Sequence, residues 1–441
     1  MQKNSRAFWA SVVIFGLVGQ IAWVVENMYL NVFLYKMFSA SAADISSMVS
    51  WSAVSATLTT VLVGALSDKI GRRRIFISGG YILWGISILG FALIRREALA
   101  PIVGAASASA VCITLVIVLD CVMTFFGSTA NDAAFNAWLT EAVPEGGRGR
   151  AEGLNAMMPL VAILAVFGGF MAFDLDRADS WTWIFIIIGA LTLLIGILGI
   201  FLIRDTAERS EVCESYLGNL LYGFRPRVFR ENVSLYLSLG AFALFCISIQ
   251  IFMPYLILYY SEGLEMQNYV VIMAPAIVLA SVFTALYGRA YDKWGFALSA
   301  VAPLAALGAG YAVLALFTHV VPVFVGSLLM MCGYLSGMAV FGAVIRDRIP
   351  ARRAGGFQGL RIIAQVLIPG VIGPALGAWV LRDAQTVIGD DGTAQFIPNA
   401  SIFVAALVAL GVLVLAMVAA ALLLRSGGGR GEADAAEERA A

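Results

Sequence analysis

Charged residues are scarce in this sequence, and so are the residues that build metal and redox sites. Only 13% of its 441 residues are charged, whereas a soluble domain carries about 25%. A single histidine and five cysteines without a Cys-x-x-Cys pair argue against a metal cluster or a disulfide framework. Basic and acidic residues both number 28, so no basic field favours nucleic acid. We therefore expect no metal, cofactor or nucleic-acid partner, and without a nucleophile–base pair we expect no enzyme.

Apolar residues make up 61% of the chain. A soluble core stops growing beyond about 250–300 residues, so the excess must face lipid. The first apolar run, 8–33, exceeds the about 7–15 residues of a secretory signal and is interpreted as a span. The sequence predicts an all-α membrane protein with twelve transmembrane helices. These are 8–34, 45–66, 75–94, 110–140, 152–173, 181–203, 233–260, 268–288, 297–317, 321–345, 357–381 and 400–424.

Loop charges predict the orientation of these helices. Of the 28 lysines and arginines, 22 fall on the side of the N-terminus and five on the other side, which predicts that both termini are cytoplasmic. The predicted organisation is an N-terminal bundle (1–203), a linker (204–232), a C-terminal bundle (233–424) and a disordered tail (425–441). Residues 216–224 of the linker carry an amphipathic stripe, which indicates an in-plane helix on the inner leaflet; a disordered linker is the alternative.

Two loop patterns occur once in each half of the chain, which predicts an internal repeat. The pattern Gly-x-x-x-Asp-x-x-Gly comprises Gly64, Asp68 and Gly71 in the first half and Gly288, Asp292 and Gly295 in the second. The other pattern has an acidic residue three positions before a proline and a glycine nine positions after it. It comprises Glu141, Pro144 and Gly153, then Asp347, Pro350 and Gly359.

Residues 64–74 resemble the signature of the loop between helices two and three in the major facilitator superfamily of secondary transporters. Residues 141–149 resemble the element that ends helix four in its sugar-porter branches, and the run 71–77 is similar to glycoside- and sucrose-carrier branches. The resemblance covers residues 7–424. It implies two pseudo-symmetric six-helix bundles, a monomer, and solute transport by alternating access. In the second copy of the pattern, Phe296 and Ala297 stand where the family often has arginines.

The repeated loops also form a candidate conformational latch. An aspartate at a helix N-terminus contributes about 0.3–1 kcal/mol, and arginines can make charge-assisted bonds to acidic partners. The alternative is that the arginines reflect topology alone, which leaves the repeated aspartate unexplained. The latch candidates are Gly64, Asp68, Gly71, Arg72, Arg73, Glu141, Arg148, Gly288, Asp292, Gly295, Asp347 and Arg353. In an outward-facing state we expect Asp68 near residues 355–358 and Asp292 near residues 149–153.

Three carboxylates inside the predicted spans are candidates for ion coupling, because a charge at mid-bilayer costs at least about 2.5–3.5 kcal/mol. Asp132 is the first choice, followed by Glu26 and Asp120. Alignment of the two repeats places Asp132 opposite Met338 and Asp120 opposite Gly326, so the repeated architecture requires neither acid. The alternatives are an inner charge network for Asp132 and a structural partner near the outer surface for Glu26.

Neutral polar residues within the spans predict the solute site. The candidates are Asn27, Trp23, Asn131, Asn136, Gln250, Tyr334, Gln365 and Arg361. Neutral donors and acceptors suit a hydroxyl-rich solute, so a sugar or glycoside driven by a proton or sodium ion is favoured. Arg361 could instead extend to the cytoplasmic surface, and Tyr255, Tyr259 and Tyr260 are interpreted as an aromatic belt.

Two other functions are compatible with this sequence. Gly373 and Pro374 resemble the Gly-Pro motif of drug–proton antiporters, which allows efflux of amphiphilic compounds or lipids, although that motif belongs in helix five rather than helix eleven. A membrane sensor or scaffold would use the same helices without flux. Compact, short loops favour the cytoplasmic membrane of a bacterium.

Overall fold

The chain forms long helices joined by short loops. The computed structural model describes residues 6–143, 148–203, 205, 222–266, 268–349, 354–388 and 393–440. In the first half of the chain, the long helices are α1 (6–38), α2 (Ala42–Ile70), α3 (Arg73–Phe91), α4 (105–142), α5 (Arg148–Phe170) and α6 (Ala178–Leu202), with a short helix at Arg96–Val103. The ends of each of the six long helices lie within a few residues of the ends of a predicted span.

In the second half, a 3₁₀ turn (Tyr222–Phe224) and a short helix (Pro226–Glu231) precede α7 (233–263). The helix Tyr269–Leu316 is interrupted at Gly295, which separates α8 (269–294) from α9 (296–316). The remaining elements are α10 (Val320–Arg348), α11 (354–380), the antiparallel strands β1 (Thr386–Ile388) and β2 (Ala394–Phe396), and α12 (Ser401–Ala440). The sequence analysis did not anticipate the hairpin.

Eleven helices of the described chain are long and apolar enough to cross a membrane. The expected fifth span, 152–173, corresponds to α5, whose apolar part is the shorter Met157–Phe170. At the other end of the chain, α12 continues to Ala440 through the segment predicted to be disordered. The alanines and glutamates of that segment favour helix, whereas its four glycines do not. Most of the linker, 206–221, lies outside the described residues, as does most of its amphipathic stripe.

The last glycine of the repeated loop pattern has the same role in both halves. Gly71 has φ 68° and ends α2, while Gly295 has φ 70° and separates α8 from α9. A left-handed backbone at these positions favours glycine, because it has no Cβ atom. The repeat recognised in the sequence therefore corresponds to the same reversal of the chain at two places.

The structure describes only part of the candidate latch. Arg73 is buried and its guanidinium donates to the hydroxyl of Ser67. Asp292 is exposed, and Asp347 accepts a hydrogen bond of 2.5 Å from the hydroxyl of Tyr291. The side chains of Asp68, Glu141, Arg148 and Arg353 lie outside the described part of the chain. The latch therefore stays a prediction.

Helices within each half pack closely where glycines replace larger residues. A Cβ atom on Gly85 of α3 would lie 2.5 Å from the backbone nitrogen of Leu193 in α6. A Cβ atom on Gly333 of α10 would lie 2.5 Å from the backbone nitrogen of Leu307 in α9. Small residues let two backbones approach closely. The resulting van der Waals contacts stabilise the helix pair in a membrane, where the hydrophobic effect does not drive helices together.

We predict that Gly85→Ala destabilises the protein, because the added methyl group would force α3 away from the backbone of α6. Overpacking of this kind costs about 1–3 kcal/mol. The matched control is Gly79→Ala on the same helix, where a Cβ atom meets nothing within 4 Å. Thermal unfolding of the purified protein in detergent measures the difference, and equal melting temperatures for the two variants would contradict the packing argument.

Candidate functional site

A cavity of about 370 Å³ lies between the two halves of the chain. Helices α1, α2 and α4 form most of its wall, and Gln250 of α7 with Gln365 and Val366 of α11 complete it from the second half. Its polar lining consists of Gln20, Trp23, Glu26, Asn27, Asn31, Ser52, Asp120, Thr124, Asp132, Gln250 and Gln365. The lining contains three carboxyl groups, and none of its described side chains is a lysine or arginine.

The cavity brings together all three candidate coupling acids, Glu26, Asp120 and Asp132. It also brings together four of the eight candidate solute residues. These four are Trp23, Asn27, Gln250 and Gln365. Residues that are far apart in the sequence and in both halves of the chain therefore face one space, as a solute site at the interface of the halves requires.

Glu26 lies at the meeting point of three helices. Its Oε1 atom accepts hydrogen bonds from the hydroxyls of Ser52 on α2, at 3.0 Å, and Thr124 on α4, at 2.8 Å. The two hydroxyl oxygens are themselves 2.7 Å apart. Glu26 is only 7% exposed, and its Oε2 atom has no hydrogen-bond partner among the described residues.

The other two acids lie on α4. Asp120 is 1% exposed, and its Oδ1 atom has no described hydrogen-bond partner. Asp132 is half-buried, and the side-chain amide of Asn131 donates to its Oδ1 atom at 3.4 Å. Glu26 and Asp120 are therefore enclosed by protein, whereas Asp132 is more accessible from the cavity.

Three of the helices that line the cavity change from α-helix to π-helix at the site. The π segments are Val25–Tyr29 in α1, which holds Glu26 and Asn27, Ser128–Phe135 in α4, which holds Asp132, and Ile363–Leu367 in α11, which holds Gln365. Single π-helical turns are rare and occur frequently at functional sites. Five side chains of these segments line the cavity: Glu26, Asn27, Asp132, Gln365 and Val366.

Four candidate solute residues do not line the cavity. Asn131 is buried against α3, where the hydroxyl of Tyr81 lies 3.4 Å from its Oδ1 atom. The side-chain amide of Asn136 donates to the carbonyl of Asp132, one turn earlier. Tyr334 lies beside Tyr311 within the second half, and Arg361 is half-buried one turn before Gln365.

The aromatic belt predicted for α7 is wrong. Tyr255, Tyr259 and Tyr260 are at most 2% exposed. The hydroxyl of Tyr255 donates to the carbonyls of Ala42 and Pro374, at 2.9 and 3.2 Å. The hydroxyl of Tyr259 donates to the carbonyl of Leu314 at 3.1 Å. A buried phenol needs such partners, and neighbouring helices provide them in place of the membrane surface.

The two halves meet at one end of the molecule, here called the distal end and formed by residues 35–44, 171–178, 259–266, 268–269, 381–388 and 393–400. Lys36 at the end of α1 bridges Asp176 of the first half, at 2.5 Å, and Glu262 of the second half, at 3.0 Å. The hydroxyl of Tyr35 donates to the carbonyl of Phe396 at 2.6 Å. These contacts close the distal end between the halves.

Helix α11 contacts both halves through its glycines. A Cβ atom on Gly370 would lie 2.4 Å from the Cβ atom of Ala53, which lines the cavity on α2. A Cβ atom on Gly373 would lie 2.4 Å from that of Gln250 on α7. The Gly-Pro motif noticed in the sequence thus lies where α11 passes between α2 and α7.

No residue of α2 was a candidate for the solute or ion-coupling site from the sequence. This helix supplies Ser52 to the polar wall, and α4 adds Thr124, which was also missed. The available signal was the unusual density of serine and threonine between residues 46 and 60 of a membrane span. Hydroxyl groups can bond to their own helix backbone, so this density alone did not indicate a site.

Comparison with solved structures places the fold among transporters. A mutant of the nucleoside transporter NupG has a TM-score of 0.73 at 12% identity, covering 93% of this chain and 99% of that one. A bacterial homologue of the human lysosomal transporter Spinster, in an inward-facing and occupied conformation, has a TM-score of 0.69 at 16% identity, covering 96% and 98%. The xylose transporter XylE from E. coli has a TM-score of 0.66 at 13% identity, covering 93% and 98%.

No curated protein sequence matches this chain. The family model of the Major Facilitator Superfamily matches residues 8–374, which is most of the chain, and the structural similarity extends over nearly all of it. The resemblance seen in the loop motifs is thereby confirmed. This chain is a multi-pass membrane protein that belongs to the Major Facilitator Superfamily of transporters.

Proposed function

We propose that this protein is a secondary active transporter that moves a small polar organic solute across the cytoplasmic membrane of a bacterium. In this proposal twelve spans form two six-helix bundles, residues 1–203 and 233–424, and both termini are cytoplasmic. The observation that carries the proposal is the polar cavity between the halves, which is lined from both sides and is closed at the distal end.

The proposed topology makes the distal end extracellular, because it is opposite to the side that holds 22 of the 28 basic residues. The contacts of Lys36 and Tyr35 across this end then close the outer side of the cavity. Closure of this end is compatible with an inward-facing state. Transport by alternating access requires these contacts to break while others form at the cytoplasmic side.

The carboxyl groups of the cavity support coupling to a proton or a sodium ion. A buried charge is stable only when it is paired or neutralised. Because no described lysine or arginine lines the cavity, a mobile cation is the available partner. The hydroxyl contacts of Glu26 favour Glu26 over Asp132, the first choice from the sequence, as the primary coupling group.

The neutral part of the wall supports a hydroxyl-rich solute, such as a sugar or glycoside. Gln250 and Gln365 from the second half and Asn27 from the first half offer amide donors and acceptors, and Trp23 offers a ring face. A volume of about 370 Å³ is within the range of small-molecule sites. Two structures of similar fold are transporters of nucleoside and of xylose, which are both hydroxyl-rich.

A second candidate function is efflux of amphiphilic compounds or lipids. It is favoured by the Gly-Pro motif of α11, which contacts α2 and α7 beside the cavity. Uptake or counterflow in proteoliposomes distinguishes the candidates, with a panel of labelled sugars, nucleosides and hydrophobic cations under imposed proton or sodium gradients. Saturable sugar flux driven by a gradient supports the first function, and export of hydrophobic cations supports the second.

We predict that the amide variant of the coupling group separates accumulation from exchange. Glu26→Gln is expected to abolish gradient-driven accumulation while solute exchange persists, because exchange requires no release of the ion. Asp120→Asn and Asp132→Asn are measured in parallel. Glu231→Gln is the control, because Glu231 is exposed, pairs with Arg227 on its own short helix and belongs to neither the cavity nor the distal end. Wild-type accumulation in all three cavity variants would contradict carboxylate coupling in this half.

We also predict that Lys36→Met favours opening of the distal end, because it removes the ion pair between the halves. One such pair contributes up to about 1 kcal/mol, or a factor of about five in the equilibrium. Spin labels at positions 97 and 388, both exposed near this end, would report more of the longer distance by pulsed electron paramagnetic resonance.

Two further variants test this gate. Arg382→Met is the control, because Arg382 pairs with its neighbour Asp383 rather than across the halves. The double exchange Lys36→Glu with Glu262→Lys should restore part of the closed population. An unchanged distance distribution in Lys36→Met would show that the ion pair does not hold the gate.

A further inference from the structure

Ser52 and Thr124 line one cavity together with two buried acids, Glu26 and Asp120. Both hydroxyls contact Glu26 Oε1. Asp120 and Thr124 are four residues apart on α4, so both lie on one face of that helix. The cluster thus contains four oxygen-bearing side chains from α1, α2 and α4, and neither hydroxyl was a candidate from the sequence.

Two carboxylate oxygens of this cluster lack a partner among the described residues. They are Glu26 Oε2 and Asp120 Oδ1, on side chains that are 7% and 1% exposed and that line the cavity. An unpaired buried carboxylate is too costly to persist. The other titratable groups described nearby are Asp132 and the thiol of Cys121, both on α4, and neither supplies positive charge.

The number of hydroxyl hydrogens around Glu26 Oε1 gives a second indication of a cation. Glu26 Oε1, Ser52 Oγ and Thr124 Oγ1 form a triangle with sides of 2.7–3.0 Å. Three oxygen contacts of this length require three hydrogen atoms, but two hydroxyls provide only two. One added proton completes the ring, or a metal cation replaces the missing hydrogen as the charge between the oxygens.

We propose that Glu26, Asp120, Ser52 and Thr124 form one binding site for an exchangeable monovalent cation, either a proton or Na⁺, while a second proton stays on the acid pair and neutralises its other charge. Hard cations prefer oxygen ligands of this kind. The described residues contain no group of three or more acidic, histidine or cysteine side chains suited to a metal, which disfavours a divalent ion. The inference rests on the ion coupling proposed above and assigns it to a pair of acids with two hydroxyl ligands.

The test measures ion binding without any solute, by thermal unfolding of the full-length protein in detergent. Ligand binding to the folded state raises the melting temperature. In the sodium case, NaCl stabilises the wild type relative to choline chloride at equal ionic strength. In the proton case, Na⁺ has no effect and the wild type in choline loses stability as the pH rises, because loss of the exchangeable proton leaves an uncompensated carboxylate.

The variants assign that response to the site. The double variant Glu26→Gln with Asp120→Asn should lose it, and Ser52→Ala and Thr124→Val should weaken ion affinity about tenfold, as expected when one hydrogen bond or ligand to a charged group is removed. Thr57→Val is the matched control, since its hydroxyl donates to the carbonyl of Ala53 in its own helix. Melting in choline at acidic pH and gel filtration show whether each variant is folded.

Two results would overturn the site: no ion response in the wild type, or a response that persists in the double variant. An equal effect of Thr57→Val and Thr124→Val would also overturn the role of the hydroxyls. If ion binding requires Glu26 and Asp120 but no gradient-driven flux is found, only the proposed coupling of transport is rejected. If gradient-driven flux is found but ion binding does not require these two acids, only this site is rejected.

Discussion

The burial of acidic side chains without basic partners is the constraint on which the rest of this structure depends. Glu26 and Asp120 are enclosed by three helices, and each has a carboxylate oxygen without a described partner. Lipid cannot compensate such a charge, so relief has to come through the cavity, from water or from a cation. The ion coupling proposed above would supply the cation.

Irregular helices make such a site possible within the membrane. Lipid-facing backbone must stay hydrogen-bonded, so departures from regular helix are tolerated where they are covered by protein or line a cavity. The π segments of α1, α4 and α11 obey this rule and carry Glu26, Asp132 and Gln365. At Met253–Tyr255, α7 changes to a 3₁₀ turn. This turn contains Pro254, which has no backbone N–H group to donate a hydrogen bond.

Contacts between the two halves both close the distal end and shape the cavity. Gly370 lets α11 approach Ala53 on the cavity wall, while Lys36 and Tyr35 connect the halves farther out. Apolar packing fixes the distance between helices, and the polar contacts at the end can exchange partners at modest cost. In the transport cycle proposed above, opening of this end would leave the close glycine contacts within each half in place, such as that of Gly85 with Leu193.

The sequence by itself determined the class of protein, the positions of the helices and the repeated loop, because hydropathy and glycine placement are local signals. Gly71 and Gly295 illustrate this, since the repeat predicted from the sequence has the same left-handed backbone at both positions, with φ of 68° and 70°. Only the tertiary structure decided which polar groups share a cavity. Asn131 and Asp132 are adjacent in sequence, yet Asn131 is buried against α3 while Asp132 faces the cavity. Ser52 and Thr124 contact Glu26 only because α2 and α4 pack together beside it. On an isolated helix, each hydroxyl can instead donate to a carbonyl of its own backbone.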